Sequence, residues 1–341
     1  MKKITISVAL FFAVTVLALD LATHLLMPKY TGKSREGNLI SEYYAEIDEK
    51  REHQVIFVGD CEVFESFSPP ALWRDFGITS YVRGSPAQTV WQSYHLLSEM
   101  LQYETPDAVV FNVYAMKHGE RVSEPYNRMT LDGMRWSHHK ARAIKASLTA
   151  DESYISYVFP ILRFHSRWRE LSVEDIEYAY SRPTVSHNGY LMKKGIVPME
   201  ENFTAGEANA PLPEISFEYL GKMQELCESR GVELILVKSP TDSWRYPWYD
   251  EWDTQISDFA EKNGICYYNF IENADIGLDM TRDTYDGGAH LNVYGAEKLT
   301  AYFGAILRGK HGISDMRGDG ELCRVWREKL DKYEMEKESG E

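Results

Sequence analysis

Short apolar runs alternate with helical patterns along most of the chain, and the early runs end in polar or glycine-containing corners. Val55 to Val58 stops at Gly59-Asp60, Thr79 to Val82 stops at Arg83-Gly84, and Ala108 to Val113 carries Asn112 near its end. Val232 to Val237 and Ile265 to Asn269 complete the series. Brief runs without polar alternation read as strands buried on both faces. Helical patterns fall between them: Leu72 to Phe76, Pro86 to about Tyr103, Ser216 to Arg230, Tyr249 to Asn263 and Val293 to Leu307. Pro86 suits a first helical turn, and Gly231 and Gly264 act as stops. This alternation predicts an α/β domain, a three-layer α/β/α sandwich around a five-stranded parallel, flavodoxin-like sheet. In such sheets ligands bind beyond the carboxyl ends of the strands, so the corners are the first place to look for chemistry.

The α/β pattern spans residues 55–310 and is interrupted by about 100 residues, 115–212, rich in Trp, Tyr, His and Arg. This insertion is expected to lie over the strand ends as a lid or partner surface. Residues 28–54 form a polar juxtamembrane segment with a short helix over Leu39 to Ile47, and 311–341 read as a polar tail with a loosely packed helix. Lys+Arg total 37 against Asp+Glu 52, a net charge of −15. Phosphate binding needs a basic patch, so nucleic acid is excluded as a main partner.

Lys2 and Lys3 precede the uncharged run Ile4 to Leu19, and beyond Asp20 the stretch to Met27 is again mostly apolar. Residues 1–27 together are long enough for a transmembrane helix. The two lysines orient it with the N-terminus inside and residues 28–341 outside the cytoplasm. A signal peptide cut after Ala18, with Val16 and Ala18 as the small residues, is the alternative. Both place the rest of the chain in the extracytoplasmic space, and the anchor gives a single-pass protein of the cell membrane.

The four cysteines, Cys61, Cys227, Cys266 and Cys323, show no CxxC and no zinc spacing. Cys227 and Cys266 read as small core residues, whereas Cys61 sits at the first strand corner. His138-His139 has no matching acid or cysteine at metal spacing and reads as a surface pair. His165-Ser166-Arg167 either staples the insertion to the domain or binds an anionic polymer. Asn202-Phe203-Thr204 fits a glycosylation pattern. With no P-loop, GxGxxG or HExxH in the chain, neither cofactor nor metal is expected.

The corners line up in a telling order. Gly59-Asp60-Cys61 follows the first strand, Gly84 the second, and Asn112 the third. Asp286-Gly287-Gly288-Ala289-His290 then precedes the last helix. This order resembles the SGNH/GDSL hydrolase superfamily, over roughly 55–310 apart from the insertion. The resemblance implies a nucleophile at Cys61, where the family has Ser. It also implies oxyanion donors at Gly84 and Asn112, and an acid–histidine pair in Asp286 and His290. Phe67-Ser68-Pro69 and His290-Leu291-Asn292-Val293-Tyr294-Gly295, with the N-terminal anchor, are similar to a narrower group. These are the membrane-anchored proteins that work beside membrane-bound O-acyltransferases, such as DltD and the alginate O-acetylation proteins.

Two departures bear on the chemistry. The family's acid stands three residues before the histidine, which here is Gly287. Asp286, four before, is the nearer acid and Asp283, seven before, the other, and an absent acid partner is the third option. The two glycines let the loop absorb one extra residue. Cys in place of Ser supplies a thiol that is partly ionised near neutral pH, and a helix N-terminus lowers its pKa further. A Cys–His–Asp set is then expected to depend less on its base than a serine set does. The expected function is an extracytoplasmic, membrane-anchored acyltransferase or esterase acting through a thioester on an envelope polysaccharide or teichoic-acid-like polymer. The alternative is a non-catalytic, polymer-binding partner of a membrane-bound O-acyltransferase.

Overall fold

The computed structural model describes residues 2–30, 32–198, 211–241, 249–271 and 274–339. Five strands form one sheet: β1 (Val55–Gly59), β2 (Ser80–Gly84), β3 (Ala108–Asn112), β4 (Glu233–Lys238) and β5 (Cys266–Asn269). All pairs are parallel, in the order β2-β1-β3-β4-β5. Chain order reverses between β1 and β3, the switch point at which sheets of this order bind ligands.

Helices α1 (Lys2–Leu26) and α2 (Leu39–Asp48) precede β1. Helices α3 (Cys61–Ser66) and α4 (Pro69–Phe76) follow it, and α5 (Val90–Met100) joins β2 to β3. Between β3 and β4 come α6 (Glu124–Leu131), α7 (His138–Ser147), α8 (Tyr154–Val158), α9 (Ile161–Phe164), α10 (Val173–Tyr180) and α11 (Glu214–Glu228). Helix α12 (Tyr249–Asn263) joins β4 to β5, and α13 (Val293–Gly309) and α14 (Gly320–Glu338) close the chain.

The apolar runs split by alternation onto two faces, as the pleat requires. Val55, Phe57, Val82, Val110, Ile235 and Val237 meet Val63, Phe67, Leu72, Leu299 and Phe303 of α3, α4 and α13. Ile56, Val58, Val109, Phe111, Leu234 and Leu236 meet Val90, Leu97, Leu220, Met223 and Ile256 of α5, α11 and α12. The edge strand β2 is covered: Val82 N–H donates to the carbonyl of Asn188 at 2.9 Å. That contact caps an edge otherwise open to pairing with another chain.

Several expectations are corrected. Helix α5 begins at Val90 rather than near Pro86. Ala87 takes a positive φ of 53°, and Thr89 and Gln92 form a capping box that fixes the later start. One helix of the insertion reaches a strand end, where Thr130 of α6 lies 2.5 Å from Ser85 Oγ just beyond β2. Ile144 of α7, Leu131 of α6 and Tyr157 of α8 form a third apolar cluster with Leu96 of α5, on the flank of the domain. Cys266 is exposed because β5 is an edge strand, although Cys227 is buried in the core. Asn202-Phe203-Thr204 lies outside the described residues.

At the N-terminus a helix forms over Lys2–Leu26. Among the described residues, however, no helix is long and apolar enough to cross a membrane. Asp20 and His24, 3.8 Å apart, place polar groups in its outer turns.

The C-terminal helix α14 is not loosely held. Its Trp326 stacks on Trp73 of α4 with ring centroids 5.3 Å apart and planes 19° from parallel. Tyr333 is fully buried, and its hydroxyl donates to Glu297 at 2.9 Å. Truncating a buried tryptophan removes apolar surface and leaves a cavity. Trp326→Ala is therefore expected to lower the stability of the whole domain by about 3–5 kcal/mol. Chemical denaturation checks this, and a change well under 1 kcal/mol would mean that α14 is peripheral.

Candidate active site

The carboxyl end of β1 turns directly into α3. Asp60 caps that helix by accepting the N–H of Glu62 at 3.3 Å, which makes Cys61 its first residue. The turn needs close backbone approach on two sides. A Cβ at Gly84 would lie 2.6 Å from Val63 Cγ1 and 3.1–3.2 Å from the carbonyl oxygens of Gly59 and Asp60. A Cβ at Gly59 would lie 3.0 Å from that of Asn112. Gly84 and Asn112 thus border the Cys61 corner.

The second half of the site is a loop held shut ahead of α13. Thr284 and Leu291 form an isolated bridge, and Asn292 caps α13 through the N–H groups of Tyr294 and Gly295. Gly287 and Gly288 take φ values of 77° and 91°, a region that favours glycine. Thr241 Oγ1 lies 3.1 Å from the carbonyl oxygens of both Gly288 and Ala289. This curl returns the Asp286 carboxylate to the histidine. Oδ1 accepts the N–H of Ala289 at 3.2 Å and of His290 at 2.9 Å, and Oδ2 lies 2.6 Å from His290 Nδ1. His290 Nε2 lies 3.0 Å from Cys61 Sγ. Asp283 instead accepts from Lys298 Nζ at 2.6 Å and from the N–H of Asp279 at 2.7 Å. It is buried as a brace of the loop.

Asn112 is fully buried at the end of β3. Its Oδ1 accepts the N–H of Tyr114 at 2.9 Å, and its Nδ2 donates to Ser239 Oγ at 2.7 Å. The side chain therefore caps the turn after β3 and ties β3 to the end of β4. The second Nδ2 hydrogen has no acceptor among the described residues.

The thiol does not behave as the sequence leads one to expect. Burial, and then the neighbouring Asp60 carboxylate, push Cys61 up to about 11, against the pull of His290. Helix α3 is only six residues long and its cap is an acid, so its N-terminus does not present a net positive end to the sulfur. Burial works against charge on His290 too, but its hydrogen bonds to Asp286 and Cys61 outweigh that and raise it to about 12. Both shifts favour the protonated forms, so the thiol gives up its proton only to an Nε2 that is itself unprotonated. A thiolate forms only opposite an imidazolium.

Residues not singled out from the sequence complete the surroundings. Glu65 stands one helical turn after Cys61, an i,i+4 spacing that could have flagged it. Its Oε1 accepts from the Tyr285 hydroxyl at 2.8 Å, with Lys193 Nζ at 3.8 Å. Its Oε2 lies 3.8 Å from His290 Nδ1 and has no hydrogen-bond partner among the described residues. Burial pushes Glu65 up to about 7, although His290, Lys193 and Tyr285 pull the other way. Beside it, Glu62 and Lys238 form a buried pair at 2.6 and 2.8 Å. Lys117 Nζ lies 3.7 Å from Asp60 Oδ2. That lysine, with His118, Arg121 and Trp252, lines a cleft of about 620 Å³. A metal-sized cluster lies elsewhere, at the amino ends of β4 and β5. There Glu233, Cys266 and the loop residue His311 bring ligand atoms within 4.8 Å of one another.

No protein-family model matches the chain, and no curated protein matches it. Among solved structures it is similar to a protein of Desulfitobacterium hafniense named for the G-D-S-L lipolytic family. That match has a TM-score of 0.37 and 13% identity, and it covers 74% of this chain and 98% of that one. It is also similar to a GDSL-like lipase of Bacteroides thetaiotaomicron, with a TM-score of 0.36 and 13% identity, over 79% of this chain and 96% of that one.

Above pH 7 an ionised Glu65 adds a second negative charge beside His290, which strengthens it as a base. The rate of acylation by an activated ester is expected to rise through a pH near 7, and Glu65→Gln should remove that rise. Pre-steady-state rates from pH 5 to 9 check this. An identical rise in the variant would assign the titration to another group.

Proposed function

We propose that the chain is an SGNH-type esterase or acyltransferase that works through a thioester on Cys61. The observation that carries this reading is the hydrogen-bonded line from Sγ through both ring nitrogens of His290 to Asp286, at 3.0 and 2.6 Å. It is the geometry of nucleophile, base and orienting acid, at the end of a sheet where ligands bind.

In the first half-reaction the Cys61 proton passes to His290 Nε2 as the sulfur attacks the acyl carbonyl carbon. The carbonyl electron pair moves onto oxygen, toward the backbone N–H groups of Cys61 and Gly84 and the remaining Nδ2 hydrogen of Asn112. In a serine enzyme one such donor contributes ~3 kcal/mol. The leaving alkoxide takes the Nε2 proton, and a thioester remains. In the second half-reaction an acceptor hydroxyl, or water, gives its proton to Nε2 and attacks the thioester carbon. The sulfur departs and recovers the proton. Asp286 stays ionised throughout and stabilises the imidazolium that forms in each half.

We further propose that α1 anchors the chain in the cell membrane, with the α/β domain on the extracytoplasmic side. Support comes from Lys2 and Lys3 before the apolar run, and from Leu10, Phe11, Phe12, Val16 and Leu17, all largely exposed on α1. A helix apolar all round that the domain leaves uncovered fits lipid. The acceptor we propose is a hydroxyl of an envelope polysaccharide or teichoic-acid-like polymer. The motif order supports a polymer acceptor, and the adjoining cleft offers Lys117 and Arg121 beside one acid, Glu120. A membrane-bound O-acyltransferase is the matching donor of acyl groups.

One observation favours a second reading, a polymer-binding site without catalysis: the thiol is pushed up to about 11 rather than down. Intact mass after exposure to an activated acetyl ester decides between the two. An acyl adduct is expected on the wild type, none on Cys61→Ala, and residual turnover in Cys61→Ser. Because the sulfur must hand its proton to His290, Asp286→Asn is expected to approach the ~10⁴-fold loss of a serine triad. Equal acylation of wild type and Cys61→Ala would leave the binding reading.

A further inference from the structure

Helix α10 faces the wrong way for a soluble domain. Its inward side carries Asp175 and Tyr178, both buried. Asp175 accepts from Arg167 Nη2 at 3.2 Å and pairs with Lys29 at 3.3 Å. The Tyr178 hydroxyl donates to Asn38 at 2.7 Å and accepts the N–H of Tyr30 at 3.1 Å. The outward side, at spacing i, i+3, i+7, is Val173, Ile176 and Tyr180, which are 71%, 49% and 80% exposed. An amphipathic helix of a water-soluble domain turns its apolar stripe to the core. This one turns it out.

The preceding elements repeat the pattern. Ile155, Phe159 and Leu162 follow one another at i, i+4, i+7 through α8 and α9, and Trp168 follows in the next turn; all four are about half exposed or more. Residues 154–169 hold three arginines, Arg163, Arg167 and Arg169, and no acid, whereas 170–180 carries Glu170, Glu174, Asp175 and Glu177. Apolar residues with a tryptophan among arginines suit the boundary between headgroups and acyl chains.

The segment also sits where such a boundary would be. Helices α9 and α10 and the turn between them pack against α1. Arg167 Nη1 donates to the carbonyl of Leu26 at 2.9 Å and to that of Met27, the last turn of α1. The arginine thus staples the insertion to the end of the helix proposed to anchor the chain.

We propose that residues 154–180 form a second membrane contact, in which the outward faces of α8, α9 and α10 rest in the headgroup layer of a bilayer at the outer end of α1. The inference rests on the anchoring role proposed for α1. Its consequence is a domain held in one orientation to the membrane instead of swinging on residues 28–38.

The test uses the full-length chain in vesicles of phosphatidylcholine and phosphatidylglycerol, with a fraction of the lipid brominated on its acyl chains. Flotation reads anchoring, and quenching of tryptophan emission by bromine reads contact at Trp168. The wild type and Trp168→Phe should float alike, with the variant losing a distinct quenched component. Ile176→Asp with Val173→Asp should float as well and lose the Trp168-dependent component. If the wild type floats and its quenching equals that of Trp168→Phe, the inference is overturned while the anchor stands. The same result is expected if this face seats a membrane protein instead of lipid. If the wild type does not float, the anchoring reading fails and takes the inference with it.

Discussion

A parallel sheet covered by helices on both faces has room for polar chemistry only where its strands end, because a polar side chain in either layer would be buried without a partner. Every feature of the candidate site follows from that restriction. Asp60 and Cys61 stand just beyond β1, Gly84 and Asn112 end β2 and β3, and Lys238 and Ser239 lie at and after the end of β4. Order β2-β1-β3 opens the sheet between β1 and β3, where the helix α3 start and the Asn112 turn meet. The histidine loop, from another part of the chain, needs only to be laid across that opening.

The charge balance there is unusual for a cysteine site. Asp60, Glu62, Glu65 and Asp286 crowd around one sulfur and one imidazole, with Lys238, Lys117 and Lys193 as the nearby cations. Surplus negative charge holds protons in place. It opposes a free thiolate, so on the proposed mechanism the sulfur must ionise as a serine hydroxyl does, in concert with its base.

Much of this was legible in the residues. The central strands β1, β3 and β4 were visible because a doubly buried strand is apolar throughout and stops abruptly. The curl of Asp286 toward His290 was readable because two successive glycines license left-handed backbone. Glu65 was not readable, since sequence gives the spacing of a carboxylate but not the burial that makes it basic. The thiol's direction was misjudged for the same reason: the helix N-terminus and the adjacent Asp60 are both visible in sequence, but the burial that pushes the thiol up is not. The start of α5 was misplaced because Pro86 signals a helix as well as a turn, and the capping box at Thr89 decides. Helix α14 looked loose because its contacts, Trp326 and Tyr333, are spaced seven apart among charges and bind a surface formed far earlier in the chain.

The strap over residues 188–197 joins nearly everything around the site. It bonds the β2 edge through Asn188, α3 through Leu191 to Phe64, the start of α13 through Lys193, and the histidine loop through Val197 to Thr284 and Gly287. These partners are separated by more than two hundred residues of chain, and loop closure over such distances comes late in folding. Cys61 and His290 are 229 positions apart, and the strap bonds the elements that carry both. A chain emerging residue by residue therefore carries an isolated, protonated thiol for most of its synthesis. The pair forms only through long-range contacts, so on the proposed chemistry acylation of Cys61 doubles as a marker of a folded chain.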